Sequence, residues 1–361
     1  MASLQIVHHI DEKLALEVRR FLADLPADSG ACGEHDPGWL KVLRESLGHR
    51  TMAVIAREDS LISEPGAVVG YLPLALVSSH LFGVYLVSLP YLNRAGAVAV
   101  DTKVRDALID AAAELADQFK AQYLELRHQG AGVEHVSITQ NRDDKVHMRM
   151  AMPNDSESLW SGYNAKVRNQ VRKGDKAGLT IEFGSADLLE GFYSVFCTNM
   201  RDLGTPVYPR RLFGSVLDTF KGGAELALVS HEGKPVAGAL LLHTPVGGTV
   251  ESSVPSASSL REAKQTNANM WMYHELLKRA VSRGATTFDF GRSTPDSGTY
   301  RFKKQWGAVP SRATWQYYLR SGEVSAVRPD NPKFRRRIAT WQKLPVWVTR
   351  LVGPTIVKGI P

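Results

Sequence analysis

Val236-Ala-Gly-Ala-Leu240 reads as an apolar strand with a glycine at its centre, and Val68-Val-Gly-Tyr-Leu72 has the same pattern in the first half of the chain. Reading outward from each gives one order of elements twice. In the first half, periodicity predicts helices near 11–24 and 36–47, strands near 51–57, 67–77 and 81–89, a long helix near 101–120 and a strand at 122–127. In the second it predicts helices near 187–201 and 209–220, strands near 225–231, 234–243 and 247–255, a long helix near 264–283 and a strand at 286–290. Gly70 and Glu125 stand 55 positions apart, Gly238 and Asp289 51. A repeat of pattern at this spacing indicates a duplicated α/β unit, and 361 residues exceed the usual size of one core.

An apolar content of 43% with 22% charged residues is that of a soluble globular protein. Cys32 and Cys197 lie far apart with no C-x-x-C spacing, which argues against a zinc ribbon, a dithiol site or a disulfide framework and fits a reducing cytoplasm. The start, MASLQIVHHIDEK, has neither a basic leader nor a long apolar core, so no secretory signal is expected. Ala67 to Leu92 contains no Asp, Glu, Lys or Arg and is long enough to cross a bilayer. Pro73, the polar Ser78-Ser79-His80, Gly83 and Pro90 disfavour a spanning helix, so two buried strands joined by a hairpin are expected there.

Charge is uneven. From Ser321 to Pro361 eight bases stand against Glu323 and Asp330, leaving +6 there and +1 on the other 320 residues. With Trp341, Trp347, Val346, Val348, Leu351 and Ile356 interleaved, this tail suits an anionic membrane surface; helices packed back across the domains are the alternative.

Two helices, an antiparallel run of strands, then helix and strand is the order of the GNAT acyltransferase fold. The expectation is therefore an α/β (α+β) chain of two tandem GNAT-like domains with mixed, largely antiparallel sheets: 1–152, 153–320, and a basic helical tail at 321–361.

The chemistry-bearing junction is FDFGRSTPDSGTYRFKKQWGA (Phe288 to Ala308). Thr287, Asp289 and Gly291 share one strand face, Phe288 and Phe290 the other. Arg292 and Tyr300 flank a bend at Pro295, Asp296 and Gly298, and Phe302 and Trp306 share a face of the short helix that follows. A strand end, a loop and a helix amino end can hold an anion or a developing oxyanion, although a capped helix with solvated lysines has the same spacing. Lys303 on an exposed helix face would matter to turnover and little to stability. Asp289, at the strand end, would orient or deprotonate an acceptor amine. Between the halves, Lys166, Arg168, Arg172, Lys173 and Lys176 against Asp175 make a +4 helix, suited to a phosphate-bearing substrate or to a solvated linker.

NMRDLGTPVYPRRLF (Asn199 to Phe213), KVRNQVRKGDKAGL (Lys166 to Leu179), VSLPYLNRAG, YLELR and the tail NPKFRRRIATWQKLPVWVTRLVGP resemble the FemAB-like proteins associated with exosortase/PEP-CTERM and exopolysaccharide gene clusters. The resemblance covers nearly the whole chain. It implies a cytoplasmic acyltransferase or aminoacyltransferase, at the inner face of the membrane, acting on an amine or hydroxyl of an envelope-glycan or lipid-linked precursor. It implies no bound cofactor, with aminoacyl-tRNA or acyl-CoA as donor. The family's Phe-Lys pair falls on Phe302 and Lys303, the lysine stabilising the carbonyl oxygen as the amine attacks.

An acetyl-CoA enzyme of this fold carries [Q/R]-x-x-G-x-[G/A] before a helix. The match RHQGAG (Arg127 to Gly132) precedes VEHVSITQ, which reads as a strand, and the equivalent second-half junction offers Arg261 and Lys264 without a glycine loop. His8 and His9 point to opposite faces of a presumed strand, and no H-E-x-x-H or G-x-S-x-G occurs, so no metal is expected. Cys197 reads as a core thiol. Arg201 and Asp202 form an internal pair or contact the acceptor, and Glu251 becomes a general base if buried near the site. A non-catalytic binding module of the same machinery is the third reading.

Overall fold

The computed structural model describes residues 2–26, 28–59, 65–79, 82–321 and 335–361. The first half builds β1 (Ala2–Val7), α1 (Glu12–Asp24), α2 (Gly38–Leu47), β2 (Arg50–Glu58), β3 (Val68–Ser79), β4 (Gly83–Val87), β5 (Val98–Ala99), α3 (Thr102–Gln118), β6 (Tyr123–Gln129) and β7 (Gln140–Ala151). After α4 (Ser156–Gly162) and α5 (Ala165–Lys176) come β8 (Thr180–Gly184), α6 (Leu189–Leu203), α7 (Arg210–Thr219), β9 (Ala224–His231), β10 (Lys234–Val246), β11 (Thr249–Ser259), α8 (Ala268–Ser282), β12 (Ala285–Ser293), α9 (Gly298–Lys304) and β13 (Val309–Leu319). The tail forms α10 (Arg335–Trp341) and α11 (Val346–Val357).

The order of pairing is a palindrome of equivalents: β1-β2-β3-β4-β6-β13-β7-β12-β11-β10-β9-β8, with β5 on β3. Each half has one parallel pair, β4 with β6 over Tyr85–Val87 and β11 with β12 from Val250 to Ser253. The halves exchange their last strands. β7, from the first span, pairs with β12, while β13, from the second, pairs with β6 and with β7. The result is one continuous sheet with the exchanged strands at its centre. All fourteen elements expected from the repeat form near their predicted places, and the uncharged Ala67–Leu92 run is an antiparallel pair with Ser79 opposite Gly83. His80 and Leu81, in the expected hairpin connection, lie outside the described residues.

Local signals set the helix ends. Asp11, Asp101, Asn164 and Ser297 each accept a backbone N–H of the first turn, of Leu14, Val104, Val167 and Tyr300 respectively. Apolar residues then bury in four clusters. One lies under α3 in the first half, one between α5, α8 and the second-half strands, and a small one around Tyr85, Tyr123 and Tyr317, while the largest joins both halves through α1, α2, α6 and α7. There Trp39 meets Phe220 with ring centroids 4.9 Å apart.

Three expectations need correction. VEHVSITQ is not a strand: Val133 is held by Gln316 through its N–H (2.7 Å) and its carbonyl (2.8 Å), and regular pairing begins only at Gln140. The strand before His8 and His9 ends at Val7. The long helix of the second half starts at Ala268, after a tighter 3-10 turn over Arg261–Thr266.

The described part of the tail packs back across both halves. Gly353 lies against Val207 so closely that a Cβ there would sit 2.8 Å from the Val207 nitrogen, and the Tyr91 hydroxyl reaches the Val357 and Lys358 carbonyls at 3.3 and 3.2 Å. Arg328 and Lys333, counted among the tail's bases, lie outside the described residues. No helix among the described residues is long and apolar enough to cross a membrane.

Candidate active site

The parallel pairing of β11 and β12 ends at Ser253 and Asp289, where the two strands part. Just beyond, the register of β12 against β7 slips between Asp289 and Arg292, and Gly291 takes φ +74°, a conformation that favours glycine. Asp289 Oδ1 accepts the Gly291 N–H at 2.6 Å, which stabilises this bulge. The bulge turns the carbonyls of Gly291 and Arg292 toward α9, and Lys303 Nζ donates to both, at 3.2 and 2.9 Å.

Lys303 is only 9% exposed, which corrects the expectation of an exposed lysine; Lys304 is the solvent-facing member of the pair. The reason is the seating of α9: Trp306 is buried against Tyr163 and Tyr273, and Phe302 against Tyr273, which turns Lys303 in toward the bulge. Burial pulls its pKa to about 8, opposed by the Asp289 carboxylate. Two of its three N–H groups are spent on carbonyls, leaving one for a ligand oxygen.

Arg94, from the β4–β5 connection of the first half, crosses into this second-half site and is 1% exposed. Its Nη2 lies 2.5 Å from Glu251 Oε1 and 2.9 Å from Asp289 Oδ2, and its Nε 3.7 Å from Glu34 Oε1. Glu251 is held a second time by Arg149 Nη2 at 2.6 Å. Glu34 also accepts the N–H groups of Asn93 and Arg94, at 2.5 and 2.6 Å; burial pushes its carboxyl up while Arg94 opposes. His147 is fully buried beside these groups with neither ring nitrogen partnered among the described residues, and burial, then Arg94, Arg292 and Arg149, draw its pKa to about 3.

On the other side of the bulge the Arg292 guanidinium lies 3.4 Å from the Trp315 ring centre and Arg127 3.9 Å from it. Arg127 is paired with Glu125 at 2.6 Å, whereas Arg292 Nη1 is buried without a partner among the described residues. Burial, with Arg127 and Arg142 nearby, lowers the Arg292 pKa to about 9.

Of the residues singled out from sequence, Asp289, Arg292 and Lys303 meet at the bulge, Glu251 joins them through Arg94, and Phe302 seats the helix. Tyr300 donates its N–H to the Ser297 hydroxyl that caps α9 and has Lys304 Nζ 5.8 Å from its ring centre. Arg201 and Asp202 pair at 2.6 Å and are spent on the tail: Arg201 donates to the Leu344 carbonyl, and the Asp202 carbonyl accepts from Gln342. Arg168 donates to the Tyr163 carbonyl and Arg172 sits over Trp160, so both brace the α4–α5 junction. Cys197 is a buried core thiol raised to about 11 by burial. Arg94, Arg149, Glu34 and His147 are the residues sequence reasoning missed. The one available signal was Arg94 as the first charge after the uncharged Ala67–Leu92 run.

Residues 161–304 match the acetyltransferase (GNAT) domain family. No curated protein sequence is significantly similar to the chain. Among solved structures, FemX superposes with a TM-score of 0.60 at 17% identity, over 88% of this chain and 97% of FemX. A tandem GNAT protein from the clavulanic acid biosynthesis pathway superposes at 0.55 and 13% identity, over 89% and 100%, and the L-PGS of Bacillus licheniformis at 0.53 and 13%, over 97% and 99%. At such identities the structures establish the fold, and the family match covers the half that holds Asp289, Arg292 and Lys303. Residues 161–304 are thus similar to an acetyltransferase (GNAT) domain, and the chain is an acyltransferase of tandem GNAT fold.

Proposed function

We propose that the chain transfers an acyl or aminoacyl group to an amine or hydroxyl of an envelope-glycan, exopolysaccharide or lipid-linked precursor, as the resemblance to FemAB-like proteins of exosortase/PEP-CTERM clusters implies. One observation carries the reading: a buried, cationic Lys303 aimed by two carbonyls, with one N–H unspent, at the point where β11 and β12 part. That N–H stabilises the oxyanion as the acceptor attacks the donor carbonyl. Asp289 has one oxygen on Gly291 and the other on Arg94, so it acts by holding the bulge and orienting the acceptor.

The acyl-CoA donor is the second reading. In the first half Asp101 fills the amino end of α3 with a carboxylate, while in the second half α8 has no side-chain cap and is preceded by Arg261 and Lys264. An anionic donor group is therefore better received in the half that matches the acetyltransferase family. Calorimetric titration with acetyl-CoA and with charged tRNA separates the two donors; binding of neither favours a non-catalytic module. We place the protein at the inner face of the cytoplasmic membrane, supported by Trp347 and Leu351, which are 70% and 72% exposed one turn apart on α11.

A further inference from the structure

A cavity of about 400 Å³, within the range of small-molecule sites, lies where the tail closes over the first half. Tyr91, Tyr208 and Trp315 form its inner wall, and Trp341, Ile356 and Ile360 of the tail its outer one. The lining is mostly apolar, so water is poorly held there. Two further features mark it as more than a packing fault. Leu89 and Tyr91, on the connection that forms the inner wall, take φ of 59° and 71°, a strained region for residues with a side chain. The Trp341 indole N–H, on the outer wall, is buried with no partner among the described residues.

The polar end carries arginines. Arg127 and Arg337 line the cavity, the charge of Arg127 being met by Glu125, and Arg292 stacks on the Trp315 that forms its wall, with Nη1 buried and without a hydrogen-bond partner among the described residues. Glu125, the buried carboxylate here, is already spent on Arg127. The same end borders the bulge: a Cβ built on Gly291 would lie 3.7 Å from Nδ2 of Asn93, a cavity residue, and 4.0 Å from Lys303 Nζ.

We propose that this cavity binds the alkyl chain of an anionic amphiphile, with the charged head toward Arg127 and Arg292 and the chain between sheet and tail. This deepens the lipid-linked reading and rests on it, but it is tested by binding alone, so its failure and that of the Lys303 mechanism are distinguishable. The head lies next to the bulge, where a substrate's reactive group must come, while the tail helices shield the chain from water.

Calorimetry on the full chain compares octyl phosphate, butyl phosphate, octanol and octanoyl-CoA. Octyl phosphate is expected to bind at least a hundredfold more tightly than butyl phosphate, because four methylenes are buried. Binding of octyl phosphate assigns a lipid phosphate; binding of octanoyl-CoA alone assigns the chain to the acyl donor, and either supports the site. Ile360→Trp, which fills the cavity from the tail side, should weaken octyl phosphate at least tenfold with the melting temperature kept, and Arg292→Met should erase the preference for octyl phosphate over octanol. Should a variant fail to fold, the chain-length comparison on the unaltered protein decides. Equal affinity for butyl and octyl phosphate, or undiminished affinity in folded Ile360→Trp, overturns the proposal.

Discussion

Arg94 Nη2 lies 2.9 Å from Asp289 Oδ2, so a loop of the first half is locked by a buried ion pair to the strand end that carries the candidate site of the second. The same guanidinium holds Glu251, and the duplicated halves therefore cannot be separated without stranding charge. Arg94→Met leaves Glu251 and Asp289 buried without this partner and should cost about 3–5 kcal/mol, read from urea unfolding. A loss below about 1 kcal/mol would show that the ion pair does not join the halves.

Trp306→Ala should cost about 3–5 kcal/mol, since the ring is buried against Tyr163 and Tyr273. Lys304→Ala, on the exposed face of α9, should stay within about 0.5 kcal/mol. Thermal melts of both variants check this, and equal sensitivity would refute the seating of α9.

His35, His128 and His147 are buried neutral, with pKa values lowered chiefly by burial to about 4, 4 and 3. Below the ordinary value of 6.5 the unfolded chain gains protons that the folded chain refuses, so their contribution is whole above pH 6.5 and is lost as pH falls toward 4. The urea midpoint should drop between pH 7 and pH 4.5, and an unchanged midpoint would contradict the burial of these rings.

The repeat is legible in the sequence because its strands are apolar runs centred on Gly70 and Gly238 and its helices carry plain caps. The strand exchange is not. β7, QNRDDKVHMRMA, holds Arg142, Asp143, Asp144, Lys145 and Arg149, and its central place in the sheet depends on polar pairing that a hydrophobic pattern does not register. Lys303 and Asp289 stand out from their place at a strand end and helix, but Arg94 and Glu34 do not, because their meaning lies in contacts with residues far along the chain. The burial of Lys303 escapes notice for a similar reason: the spacing of Phe302 and Trp306 gives the buried face of α9, not how deeply the bulge draws in its neighbour.

For the tail, the exposed Trp347 and Leu351 beside Lys343 and Lys358 should recruit the protein to anionic vesicles, at roughly 1 kcal/mol per engaged base. Trp347→Ser with Leu351→Ser should abolish pelleting with such vesicles in a sedimentation assay. Equal pelleting with neutral and anionic vesicles would rule out this surface.

With a pKa of about 8, Lys303 is mostly cationic at pH 7, so kcat/KM should fall as pH rises through about 8; a rising limb there would mark a base instead. Lys303→Ala removes a buried charge and two hydrogen bonds to carbonyls, opposing effects that should leave stability within about 2 kcal/mol.

The most direct test is the turnover of Lys303→Ala with the donor that calorimetry identifies, beside Lys304→Ala. Loss of an oxyanion donor predicts a fall of about a hundredfold or more in kcat for Lys303→Ala and little change for Lys304→Ala. Undiminished turnover in a folded Lys303→Ala protein would contradict the assignment of the site.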